Sequence, residues 1–129
     1  MSAEVEKYLE ELSVFIPNFH EYWNSDLALS NFGAESTVFG VFGEFSTLVI
    51  DQLKNGAMDN AEALFKYIEG VVKSGGEPAN AACTCFLENI LNQVPGDIKP
   101  ESFVPFLGYE SAEFCRGWDE FTGIKTRGL

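Results

Sequence analysis

Histidine occurs once, at position 20, and only eight bases stand against twenty acids in the 129 residues. Neither HExxH nor Glu-x-x-His surrounds His20, so no His-based metal centre is expected, and in "NFHEYWN" His20 fits a satisfied structural histidine better than a catalytic base. The shortage of bases leaves a formal net charge of −12. A field of that sign repels phosphate, which argues against direct binding to nucleic acid or to an anionic membrane. No run approaches the roughly 20 apolar residues that span a bilayer. The opening "MSAEVEKYLEEL" is acidic and helical in period, unlike the basic start and apolar stretch of a secretory signal. Cysteine is sparse and odd in number (Cys83, Cys85 and Cys115), and no asparagine begins an N-x-S/T acceptor. A reducing cytoplasm is the expected compartment.

What is present is apolar residues at helical spacing, in a chain 46% hydrophobic and 14% aromatic. That content and length suit one domain, residues 1–129, with a core large enough to fold without metal or disulfide. Breakers at Pro17, "NFG" (31–33), Gly56, "SGGEP" (74–78), "VPGD" (94–97) and Gly108 divide the chain into about seven helices. Short connections favour antiparallel neighbours in a compact all-α bundle. Ser2 should cap the first helix, which buries Val5, Tyr8, Leu9 and Leu12. A central helix from Ala34 to about Leu53 carries the stripe Val38, Val41, Phe42, Phe45, Leu48 and Val49. Asp59 or Asn60 caps the next, with Ala61, Leu64, Phe65, Ile68 and Val72 inward and the pairs Glu62–Lys66 and Glu69–Lys73 outward. Pro78 opens a helix bearing Cys83, Phe86, Leu87, Ile90, Leu91 and Val94, which Pro95 closes. Ser111 caps the last, with Phe114, Cys115, Trp118 and Phe121 inward, Glu113, Arg116 and Glu120 outward, and a basic surface tail behind it.

Catalytic patterns are scarce. Cys83 and Cys85, two apart on a helix, point about 200° away from each other, which suits neither a disulfide nor a shared metal. "GVFGEF" lacks the spacing and the lysine of a phosphate loop. Glycine inside a helix costs about 1 kcal/mol against alanine, so Gly40 and Gly43 imply close approach by a neighbouring helix or another molecule. No enzymatic activity and no cofactor are expected. An enzyme using Cys85, or the pair Glu6 and Glu10, is a lesser alternative, since those glutamates fit a solvated helix face.

The acid is unevenly placed. Residues 1–53 hold nine acids and one base, while the remainder has eleven acids and seven bases. Opposite the apolar stripe of the central helix fall Gly40, Glu44, Thr47 and Asp51, with no base among them. Glu21, Asp26 and Glu35 extend this patch, and Tyr22 and Phe39 are candidate aromatic anchors. These nine residues form the expected partner-binding face, suited to a cationic protein.

The helix "CTCFLENILNQVP" and the final "LGYESAEFCRGWDEFTGIKTRGL" resemble the small, acidic, all-helical immunity proteins of bacterial contact-dependent growth inhibition and related polymorphic toxin systems. The resemblance covers roughly the last 50 residues and implies an inhibitor of one cognate toxin, often a nuclease such as an RNase with a basic active site. It would act as a one-to-one complex that occludes that site, because carboxylates can take the place of the substrate's phosphates. The same acid surplus also fits a non-catalytic helical adaptor or regulator of another basic protein.

Overall fold

The computed structural model describes residues 2–25, 37–94 and 96–129. These hold seven α-helices and no strand. Helix α1 (Ala3–Ser13) begins where the Ser2 hydroxyl accepts from the amide of Val5 at 3.2 Å, and it buries Val5, Tyr8, Leu9 and Leu12 as their spacing requires. Helix α2 (Phe19–Trp23) is one short aromatic segment with Phe19 fully buried.

Helix α3 (Val38–Lys54) starts at Thr37, whose hydroxyl accepts from the Gly40 amide at 3.1 Å. It buries Val38, Val41, Phe42, Phe45, Val49 and Leu53, with Leu48 half-buried at the stripe's edge. Residues 34–36, the expected start of this helix, lie outside the described residues, as do Asp26, Glu35 and Pro95.

Helix α4 (Ala61–Ser74) has Asn60 at its N-cap, but the Asn60 amide donates to the Phe15 carbonyl at 3.0 Å and leaves the helix start uncapped. Its buried face is Ala61, Leu64, Phe65, Ile68 and Val71, with Val72 half-buried. Gly75 and Gly76 both take positive φ, 75° and 74°, which permits an immediate turn into the next helix.

That helix is one rod in three parts: α5 (Gly76–Ala81), a π-helical turn (Ala82–Leu87) and α6 (Glu88–Leu91). Pro78 therefore sits in its first turn. The Asn89 amide donates to the Cys85 carbonyl at 2.7 Å and to Ser46 Oγ at 3.0 Å, tying the turn to α3. The rod runs beside α3 in the same direction: Gly43 shares a cleft with Cys85, Ser46 meets Asn89, and Lys54 pairs with Asp97 at 3.3 Å.

Two 3-10 turns (Pro100–Ser102 and Val104–Phe106) lead to α7 (Tyr109–Thr122). Rings from five segments meet in sequence through the core: Phe19 on Phe45 at 5.1 Å, Phe45 on Phe86 at 5.9 Å, Phe86 on Phe65 at 5.9 Å and Phe65 on Phe103 at 6.1 Å. Such contacts add to the large area each ring buries.

Two local expectations for α7 fail. Its cap is not Ser111 but Gly108, and the amides of Glu110 and Ser111 are taken by the Glu69 carboxylate at 2.9 and 2.8 Å, with the Ser111 hydroxyl donating to the same group at 2.8 Å. Glu69 thus caps α7 from α4 instead of forming a salt bridge with Lys73. Only a residue without Cβ fits beside it, because a Cβ on Gly108 would lie 2.6 Å from Glu69 Oε1. Burial would raise the Glu69 pKa, but the hydrogen bonds from Glu110 and Ser111, with Lys73 near, hold it below the usual carboxylate value. Phe121, expected inward, is 81% exposed and rests on Trp118, since α7 seats on the core through Ser111 and Cys115.

The basic tail folds back. The Thr126 amide and hydroxyl donate to Asp119 at 2.6 and 2.9 Å, Arg116 donates to the Leu129 carbonyl at 3.1 Å and pairs with Glu113, and Arg127 pairs with Glu101.

Candidate protein-binding face

Of the nine residues expected to meet a partner, the seven among the described residues do not form one surface. Glu21 is exposed on α2, and Tyr22 is half-buried against the core. Asp26 and Glu35 lie outside the described residues. Thr47 and Asp51 are exposed and line a groove of about 380 Å³ with Ile50, Lys54 and Gln93, so a base shares the space with the acid.

Glu44 is the clear correction. It is 1% exposed, and neither of its carboxylate oxygens has a hydrogen-bond partner among the described residues. Burial alone pushes its pKa from 4.5 to about 7. Its sequence neighbours Gly43 and Ser46 are also buried, with Gly43 in the cleft beside Cys85 and Ser46 bonded to Asn89. Helix α3 is therefore enclosed over more of its circumference than the apolar stripe, and Glu44 cannot present a charge to a partner in this state.

Phe39 and Gly40 fall at a better-formed feature. Thr37 and Phe39 stand between two hollows at the start of α3. One is a cleft of about 310 Å³ lined by Gly40, Gly43, Thr84, Cys85 and Asn89. The other is a groove of about 440 Å³ lined by Ser2, Glu4, Val5, Val38 and Glu77. Phe39 is 36% exposed on the ridge they share. Gly40 and Gly43 line the cleft wall that faces the π turn, and π turns concentrate at functional sites.

Glu4 and Glu77 escaped the sequence reading because α1 and α5 are brought together only by the fold. The available signal was that each lies in the first turn of its helix, where the macrodipole favours an acid. The charge balance of the groove follows. Helix α4 ends one residue before α5 begins, so their opposed ends largely cancel. The starts of α1 and α3, about half a positive charge each, then face two full carboxylates, and the groove stays negative.

Among the described residues most exposed acids, in both halves of the chain, lie outside any ion pair. The three salt bridges among the described residues use Asp97, Glu101 and Glu113. None of Glu4, Glu10, Glu21 or Asp51 is in one, and Lys7 sits over the Tyr8 ring at 5.2 Å. Glu11 accepts from the Tyr67 hydroxyl at 2.7 Å. The thiols offer little reactivity: burial pushes Cys115 up to about 12 and Cys83 up to about 11, and Cys85 lies half-buried in the cleft wall. Among the described residues no group of three His, Cys, Asp or Glu is placed to hold a metal ion, and no helix is long and apolar enough to cross a membrane.

Fold and surface together define an all-helical protein whose front half carries unpaired acid beside an exposed aromatic ridge. Residues 9–123 match the family model described as Domain of unknown function (DUF7674), and the chain belongs to that family. No curated protein and no solved structure gives a significant match to it.

Proposed function

We propose that the protein is a cytoplasmic immunity protein that binds one cognate toxin domain, a basic nuclease such as an RNase, in a one-to-one complex that occludes its active site. The observation that supports this most is the concentration of acid in residues 1–53, nine acids against the single base Lys7. Of these acids, exposed Glu4, Glu10, Glu21 and Asp51 are in no salt bridge among the described residues. Exposed pairs are worth little to stability, so unpaired acid costs the fold little and remains available to a cationic surface. A basic partner gains a faster encounter from that field, up to 10⁸–10⁹ M⁻¹s⁻¹ at low salt, while buried anchors such as Phe39 set how long the complex lasts. The role needs no catalytic group of this chain.

The test is co-expression with the product of the reading frame immediately upstream, which the proposal expects to carry the toxin domain, followed by affinity purification and calorimetry. A stoichiometric complex and loss of toxin activity are expected. An active toxin that neither co-purifies nor is inhibited refutes the proposal.

A further inference from the structure

Resting on that reading, we infer that the ridge at Thr37 and Phe39 is the docking point, and that its occupant is a partner segment carrying a basic side chain next to an apolar one. The basic group enters the groove between Glu4 and Glu77, and the apolar group enters the cleft against Gly40 and Gly43. Four observations converge here. Phe39 is a large aromatic left 36% exposed between the two hollows. The cleft of about 310 Å³ is large enough for a side chain, and half-buried Gly40 in its wall puts no side chain of its own in the way. Glu4 and Glu77 are exposed, come from different helices and are in no salt bridge among the described residues. Among the described residues no base lines either hollow, in contrast to the Asp51 groove, which contains Lys54.

Charge complementarity selects the occupant. A segment with acids would meet two carboxylates, and one with only apolar residues would leave them desolvated without a counter-charge. A lysine or arginine beside a leucine, isoleucine or phenylalanine satisfies both hollows, with Phe39 packing against the stem of the basic side chain.

The probes are two fluorescein-labelled dodecapeptides of equal charge, one of alternating lysine and leucine, the other of alternating lysine and serine, titrated by anisotropy. The leucine peptide is expected to bind at least tenfold more tightly. Phe39→Ser, and separately the double change Glu4→Gln with Glu77→Gln, should each weaken it at least fivefold, while Glu62→Gln with Glu120→Gln removes the same charge elsewhere and should leave binding within twofold. All these positions are exposed, so the variants fold, and circular dichroism verifies it. Absence of binding, equal affinity for the two peptides, or equal weakening by the remote double change overturns the assignment. Peptide binding that maps to the ridge while the upstream toxin domain is neither bound nor inhibited keeps the docking point and discards the immunity function.

Discussion

Replacing Glu44 by Gln should remove a pH dependence of stability that the wild-type fold carries through neutrality. In the folded state the carboxyl is buried, without a hydrogen-bond partner among the described residues, and ionises only near pH 7, whereas in the unfolded chain it ionises at its ordinary 4.5. The folded pKa is the higher one, so below 4.5 both states are protonated and burial carries no charge penalty. As pH rises from 4.5 to 7 the unfolded state gives up its proton first, and stability falls until the folded carboxyl also ionises. At 1.36 kcal/mol per pH unit the loss comes to roughly 3 kcal/mol between pH 4.5 and 8.5. For a domain of this size that is a fall in Tm on the order of 10 °C. Urea titrations of wild type and Glu44→Gln at half-unit pH intervals measure it directly. The difference between the two should be small at pH 4.5 and grow to roughly 3 kcal/mol in favour of Gln by pH 8.5. Parallel curves across that range would refute the burial argument, since every other titrating group is common to both proteins.

Four further outcomes follow from the packing. Gly108→Ala should destabilise by about 1–2 kcal/mol by pushing Glu69 off the amides of Glu110 and Ser111, and should be near neutral in a Glu69→Ala background, a coupling that a double-mutant cycle reads. Because the Glu69 pKa is lowered, the cap's contribution is present above the ordinary carboxylate value and is lost as pH falls through the folded pKa, which acid titration of Glu69→Gln checks. Phe45→Ala removes the ring that touches both Phe19 and Phe86 and should cost about 3–5 kcal/mol by chemical denaturation, with the all-helical circular dichroism retained below the transition. A limiting maleimide reagent should label Cys115 last, because it is fully buried and burial pushes its thiol up to about 12, as peptide mass mapping will show.

Much of the helical frame was legible in local pattern, because the information is local. Ser2 followed by Val5, Tyr8, Leu9 and Leu12 specifies both the start and the buried face of α1, and Phe42, Phe45 and Val49 do the same for α3. The errors came where contacts are distant. Glu44 falls opposite the apolar stripe by angle alone, and only the Ser46–Asn89 bond, 43 residues apart, reveals that this helix has a second packed flank. Glu69 and Lys73 have ideal spacing for a surface pair, yet the carboxylate finds better donors at the start of α7, 41 and 42 residues on. Of the expected face, Phe39 and Gly40 were found at a formed cleft, whereas Glu4 and Glu77 were invisible because α1 and α5 meet only in the folded chain.

Stopped-flow association with the upstream toxin domain, as a function of salt and with charge reversed on one half of the molecule at a time, tests the claim that the front-half acid exists for docking. Reversing Glu4, Glu10 and Glu21 to lysine should slow association at least tenfold at low salt and flatten its dependence on ionic strength. The same reversal at Glu101, Glu113 and Glu120 should change the rate less than twofold. Equal effects from the two sets, or a wild-type rate that ignores salt, would contradict it.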